Sequence, residues 1–345
     1  MSNSDNLYMQ RCLQLANSAA GDVAPNPMVG AVLVYNEKII GEGNHKKFGE
    51  AHAEVNCINS VHEENKNLIC KSTLYVSLEP CSHFGKTPPC TDMIIQNKIP
   101  KVVIGCKDVF GDVDGKGIKK LQDAGVEVIT GVLEKECIGL NKRFFIFHQQ
   151  KRPYIILKWA ESADKKIGTD EERIYISNEY SNRLVHMWRS EEASIMIGTN
   201  TALQDDPSLS TRLWPGNNPL RLIIDMDLRL PAHLKIFNKE TRTIIFNKLK
   251  HEEEGNLIFY KIEEGDIAQI LHALHQMEIQ SVLVEGGAKL LQSFVDAGLW
   301  DEARVVRNEQ LIISNGINSP EIKNAILKKQ ENYFSDTISY FQPSF

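Results

Sequence analysis

The chain has 345 residues, 42% apolar and 24% charged, with a net charge of −6. That length exceeds one ordinary core and predicts two domains, and the composition excludes a low-complexity chain. The negative balance argues against a broad nucleic-acid surface, yet it leaves room for a small phosphorylated ligand held by a few local cations.

No apolar run reaches the ~18 residues of a membrane span, and Met1 to Met9 lacks a basic start followed by an apolar stretch, so a cytoplasmic protein is expected. The seven cysteines all lie before residue 138. An odd count in a chain with no leader segment does not read as a disulfide framework, and the second half needs no thiol chemistry.

Taken in chain order, residues 7–20 carry apolar side chains at helical spacing. Gly21 to Pro27 breaks that pattern, and Val29 to Val34 reads as a strand. Gly41 to Gly49 reads as a loop and His52 to Val61 as a helix. Thr73 to Leu78 is a buried strand running into Glu79-Pro80-Cys81. Thr91 to Asn97 (helix), Lys101 to Gly105 (strand), Gly117 to Ala124 (helix) and Val126 to Ile129 (strand) complete a three-layer α/β pattern.

Lys142 to Arg152 is basic and aromatic, and Pro153 opens a new strand, Tyr154 to Trp159. The boundary is placed near residues 148–152, giving domains 1–148 and 152–345. Beyond it the strands are Ser194–Ile197, Leu220–Asp225, Thr243–Phe246 and Ser281–Glu285. The helices are Ser177–Arg189, Asp266–Met277 and Ala288–Ala297. No internal repeat is visible, so two unrelated α/β folds are expected.

His52-Ala53-Glu54, then Pro80-Cys81, then Cys90 follow the pattern of zinc nucleobase deaminases. One imidazole and two thiolates hold Zn²⁺ tetrahedrally and leave a fourth position for water. Glu54, two residues from His52 and not a ligand, can move a proton from that water to a ring nitrogen and the departing amine. If Cys90 opens the next helix, the helix dipole favours its thiolate. The competing reading is a structural zinc, with His83 as a fourth ligand.

Eight residues separate the two cysteines, against two in the general pattern. That insertion carries His83 and Lys86, polar groups suited to a phosphorylated or ring-polar substrate. The Asn26 amide, at a turn before a strand, can donate and accept at a heterocycle edge. A plain Asn-Pro turn is the alternative. His45 faces the same pocket or merely sits on its loop.

Together, Pro25-Asn26-Pro27-Met28-Val29-Gly30, Gly41-Glu42-Gly43-Asn44-His45, His52-Ala53-Glu54-Val55 and the stretch from Glu79 to Cys90 closely resemble the bifunctional deaminase–reductase family of riboflavin biosynthesis. The longer Cys-to-Cys loop is that family's own variant. The resemblance implies a cytidine-deaminase-like domain that removes the 2-amino group of 2,5-diamino-6-ribosylamino-4(3H)-pyrimidinone 5′-phosphate as ammonia. It also implies substrate contacts at Asn26, His45, His83 and Lys86.

In the second half, Glu285-Gly286-Gly287-Ala288 joins a strand to a helix start, where backbone N–H groups favour phosphate. No G-x-G-x-x-G supports a Rossmann fingerprint. The stretches Pro153–Lys158, Gly198–Thr201, Asp205–Arg212 and Val284–Gly287 resemble the family's reductase domain, a dihydrofolate-reductase-like fold that uses NADPH to reduce the ribosyl chain to ribityl. That resemblance implies substrate contacts at Lys158, Arg189, Leu209, Arg212 and Glu285. It implies cofactor contacts at Tyr175, Thr201, Asp205, Gly287, Ala288, Lys289 and Leu290, and pairing of chains through this domain. Without the motifs, each arginine would read as a solvated charge.

Several positions depart from the family. Ser162-Ala163-Asp164-Lys165 has lysine where glycine is usual, and Tyr175 stands for tryptophan. Arg173 and Met226 align with a substrate-side and a cofactor-side serine. A weakened reductase is therefore one alternative. A nucleic-acid deaminase is another, opposed by the net charge and the long loop.

Overall fold

The computed structural model describes residues 3–84, 88–109, 115–169, 171 and 173–344. The chain divides into two compact units, Met1–Gln150 and Lys151–Phe345.

The first unit runs α1 (Asn3–Asn17), β1 (Gly30–Tyr35), β2 (Lys38–Asn44), α2 (Ala53–Asn59), β3 (Thr73–Leu78), α3 (Cys90–Gln96), β4 (Lys101–Cys106), α4 (Lys116–Asp123), β5 (Glu127–Thr130), α5 (Glu134–Leu140) and α6 (Lys142–Gln150). Its sheet has the order β2-β1-β3-β4-β5, with β1 antiparallel to both neighbours and β3, β4 and β5 parallel. Side chains on a strand alternate between faces, and here both faces are covered. Ala31, Leu33, Leu74, Val76, Val102 and Ile104 pack with Ala53 and Cys57 of α2, Ile94 of α3 and Leu121 of α4. Val32, Val34, Tyr75 and Val103 pack with Met9 and Cys12 of α1, Cys137 of α5 and Phe144 and Phe145 of α6. Three layers result, as the alternating pattern predicts.

Residues 38–44 form a strand, not the start of a loop as expected from Gly41 and Gly43. These glycines are contact points. A Cβ on Gly43 would collide with the Cys57 nitrogen, so α2 seats directly on β2. Lys142–Gln150, noted in the sequence only as basic and aromatic ahead of the boundary near residues 148–152, is α6 and part of the first core.

The second unit runs β6 (Tyr154–Ser162), α7 (Glu179–Glu191), β7 (Ser194–Gly198), α8 (Thr199–Asp205), β8 (Leu220–Ile224), β9 (Thr243–Asn247), β10 (Glu252–Glu254), β11 (Leu257–Lys261), α9 (Ile267–Gln276), β12 (Ser281–Val284), α10 (Ala288–Asp296), β13 (Glu302–Asn308), β14 (Ala325–Tyr333) and β15 (Asp336–Pro343). The sheet order is β10-β11-β9-β8-β7-β12-β6-β13-β15-β14. The seven strands from β11 to β13 in that order run parallel. The sequence reading lacked α8, β10, β11 and the last three strands.

Ile155, Leu157 and Trp159 of β6 enter the core with α9 and α10. Alternation therefore turns Lys158 to the opposite sheet face. No helix among the described residues is long and apolar enough to cross a membrane.

Candidate functional site: a metal centre and a buried ion cluster

The first site forms where the ends of three strands meet. Gly30 at the start of β1 pairs with Asn44 at the end of β2, and Ala31 pairs with Val76 near the end of β3. The Asn26 turn, His45 and Cys81 are thereby brought to one end of the sheet. In open α/β sheets, ligands bind beyond the carboxyl ends of parallel strands.

His52 is the N-cap of α2, so Glu54 falls in the helix's first turn, where the dipole favours an acid. Cys90 opens α3, as expected. The backbone N–H of Cys90, however, donates to the Sγ of Cys81 at 3.3 Å, so this helix start serves the other thiol.

The Nδ1 of His52 lies 3.5 Å from the Sγ of Cys81 and 3.4 Å from that of Cys90. Zn–S and Zn–N bonds of about 2.3 and 2.0 Å at a tetrahedral angle place nitrogen and sulfur about 3.5 Å apart. The three ligand atoms lie within 4.8 Å of one another and make up the His/Cys/Asp/Glu grouping fit for a metal among the described residues. The donor set thus fits zinc with one open position. His83 is exposed and outside that group, which opposes a closed, four-ligand structural site.

Hydrogen bonding from Cys90, then from His52, holds Cys81 down at about 4 against the opposing effect of burial. Cys90 is pushed up by the same pairing and by burial. Glu54 is buried, and desolvation, followed by the Cys81 charge, raises it to about 7. A carboxyl in that range can both accept and return a proton near neutral pH.

Asn26 and His45 join the group. His45 Nδ1 is 3.1 Å from the Ala51 carbonyl oxygen and its Nε2 is 3.0 Å from Asn26 Nδ2. A carbonyl only accepts, so Nδ1 carries the proton and Nε2 accepts from the Asn26 amide. Burial lowers the His45 pKa and keeps the ring neutral, edge-on to His52 at 5.4 Å between centroids. Lys86 lies outside the described residues.

Sequence reasoning treated Glu79 only as a motif letter. Among the described residues its buried carboxylate accepts four backbone N–H bonds, from Asp108 and Gly115 to one oxygen and from Gly117 and Ile118 to the other. It therefore caps α4, whose N-cap Gly115 has no side chain to do so, and ties that helix to the strand end bearing Cys81.

The second site is built on ions. Glu285, just past β12, accepts from Arg189 Nε and Nη2 at 2.7 and 2.8 Å. Lys158 Nζ stands 3.6 Å from the same carboxylate, and Arg189 Nη1 also donates to the Ser210 carbonyl at 3.1 Å. Burial alone would raise Glu285, but the Arg189 and Lys158 charges hold it at about 2. His186, one helical turn before Arg189, is buried with its Nδ1 unpaired among the described residues. Burial and the charges of Arg189 and Arg212 lower it to about 4. Arg212 is exposed. Leu209 is buried in the core with Ile197 and Ala202, its backbone left-handed at φ 52°.

Gly287 caps α10 with φ 59°, and a Cβ there would lie 3.1 Å from Thr201 Oγ1 on α8. The open backbone at a helix start suits a phosphate-bearing cofactor. Asp205 accepts from Arg173, whose guanidinium lies 5.0 Å from the centre of the exposed Tyr175 ring. Lys165 adopts φ 59°, the left-handed conformation that explains a glycine at this turn, and Asp164 still binds the Ile313 and Ser314 N–H groups across it. Met226 packs against the core.

Residues 2–106 match the cytidine and deoxycytidylate deaminase zinc-binding region, and residues 153–308 match the RibD C-terminal domain. Over 98% of its length the chain is 39% identical to the riboflavin biosynthesis protein RibD of Aquifex aeolicus, covering 98% of that protein. The chain belongs to the RibD family. It is 33% identical to RibD of Escherichia coli over 90% of its length and 89% of that protein. The crystal structure of a diaminohydroxyphosphoribosylaminopyrimidine deaminase/5-amino-6-(5-phosphoribosylamino)uracil reductase from Thermotoga maritima superposes with a TM-score of 0.91, at 33% identity and 99% coverage of both chains. The RibD protein of Acinetobacter baumannii gives 0.89 at 28% identity, again covering 99% of both.

The chain is accordingly an enzyme of riboflavin biosynthesis, a zinc-dependent deaminase joined to an NADPH-dependent reductase of mixed α/β fold.

Proposed function

We propose that residues 1–148 deaminate 2,5-diamino-6-ribosylamino-4(3H)-pyrimidinone 5′-phosphate and residues 152–345 reduce the ribosyl side chain of the product. His52, Cys81 and Cys90 hold the zinc, whose chemistry is to acidify a water. Glu54 takes one proton from the attacking water and passes it to the ring nitrogen, then carries the proton of the resulting hydroxyl to the departing amine, which leaves as ammonia. Asn26 and His45 read the heterocycle edge, and His83 and Lys86 meet its polar substituents.

In the reductase, Lys158, Arg189, Leu209, Arg212 and Glu285 bind the phosphorylated substrate; the exposed Arg212 guanidinium is suited to an oxyanion, whereas the Arg189 fork holds Glu285 in place. Tyr175, Thr201, Asp205 and the run Gly287, Ala288, Lys289 and Leu290 bind NADPH, which supplies hydride. Reduction needs the ribosylamine opened to an imine and held at the cofactor. A cytoplasmic enzyme whose chains pair through the reductase domain fits this reading.

The observation that carries it is the His52–Cys81–Cys90 group, spaced for tetrahedral zinc, with the buried Glu54 two residues from His52. Metal removal tests it. A chelator-stripped enzyme is expected to lose ammonia release and regain it with added Zn²⁺, while its oxidation of NADPH with the deaminated pyrimidine persists. Undiminished ammonia release from metal-free protein would overturn the assignment.

A further inference from the structure

The turn that carries Asn26 is short of its own hydrogen bonds. Pro25 and Pro27 have no N–H to donate, and the Asn26 N–H goes to the Val23 carbonyl at 2.9 Å. Both polar backbone groups of Met28 are taken by one side chain from far along the chain. Met28 N–H donates to Asn141 Oδ1 at 2.8 Å, and Asn141 Nδ2 donates to the Met28 carbonyl at 2.8 Å.

A carboxamide is a side-chain copy of a peptide group, so Asn141 acts on Met28 as a neighbouring strand would. Asn141 is 3% exposed and caps α5. Its own N–H bonds to Cys137 and its carbonyl accepts from Phe145 of α6, so its position is set by two helices.

We propose that Asn141 is a positioning residue for deamination, setting the substrate-reading pair Asn26 and His45 through Met28. This rests on the reading of Asn26 as a contact to the heterocycle. From Met28 the chain runs two residues back to Asn26, and one residue on to Val29, whose carbonyl accepts the His45 N–H at 3.0 Å. His45 in turn holds the Asn26 amide. Releasing Met28 therefore loosens both ends of that pair, and recognition is lost when such groups drift by fractions of an ångström.

The test compares Asn141→Ala, the isosteric Asn141→Asp, Asn26→Ala and the Asn26→Ala/Asn141→Ala double variant in the ammonia assay. The aspartate keeps the acceptor for Met28 N–H and loses the donor, so it preserves the side-chain volume that alanine removes. Both single changes at 141 are expected to raise KM about tenfold, the scale of a lost hydrogen bond, with kcat within about twofold. Zinc content and NADPH oxidation should not move. The double variant should be no worse than Asn26→Ala, because the two residues act on one path.

A wild-type KM in both Asn141 variants, beside a raised KM in Asn26→Ala, would overturn the positioning role alone. Independent, additive losses in the double variant would do the same. A wild-type KM in Asn26→Ala would overturn the reading of Asn26, and the proposal with it. Loss of zinc and kcat together in both Asn141 variants would assign the residue to folding and overturn it too.

Discussion

Replacing Glu54 by glutamine is expected to lower the kcat of ammonia release by about 10²–10⁴, the usual worth of a general acid–base group, while zinc content stays at the wild-type level. A carboxamide keeps the shape of the side chain but cannot take a proton from water or hand one to a ring nitrogen. On the proposed assignment the zinc is held by His52, Cys81 and Cys90, so the metal has no direct stake in this residue. Folding has little stake either, because burial penalises a charge at this position and the amide carries none. The same variant should oxidise NADPH normally when supplied with the deaminated pyrimidine. Assayed with the diamino substrate, it should oxidise NADPH only as slowly as the residual ammonia release allows.

The largest expected effect on stability lies in the second unit. Glu285→Ala leaves Arg189 and Lys158, both nearly buried, without the carboxylate that balances them. Removing one partner of a buried ion pair costs about 3–5 kcal/mol, because the remaining charge stays desolvated. For a unit of this size that corresponds to a fall in Tm of roughly 10 °C, read by calorimetry as a shift of the reductase transition. NADPH oxidation should disappear and ammonia release should remain. An unchanged reductase transition would show that the cluster is solvated and that Lys158 and Arg189 do not depend on Glu285.

The zinc site was legible in the sequence because its parts are local. His52 and Glu54 share the start of α2, while Cys81 follows β3 by three residues and Cys90 opens α3, so short segments match a known zinc-deaminase pattern. Lys38 to Asn44 was harder. Its glycines read as a loop, and only the closeness of α2 shows that they are inward-facing strand positions. The helical role of Lys142 to Gln150 was hidden by its basic and aromatic composition. In the final hairpin β14 is largely exposed and β15 is mostly half-buried, so neither carries a clean alternation along its whole length.

What no local pattern could reveal is the support behind the site. Glu79 acts on backbone groups of Asp108, Gly115, Gly117 and Ile118, and Asn141 acts on Met28 across 113 positions. Side-chain-to-backbone contacts of that range leave no periodicity and require no particular neighbour in sequence. Lys165 makes the converse point. As a residue it departs from the glycine expected there, yet its left-handed backbone preserves the turn that glycine would make.

The most direct test of the account is zinc-edge X-ray absorption on the purified full-length protein. The His52–Cys81–Cys90 assignment predicts one zinc per chain with two sulfur scatterers at about 2.3 Å and two nitrogen or oxygen scatterers at about 2.0 Å. One of the lighter scatterers should be the His52 imidazole, and the other should be displaced when a substrate analogue binds. A shell of three sulfurs, two imidazoles, or no zinc at all would contradict it.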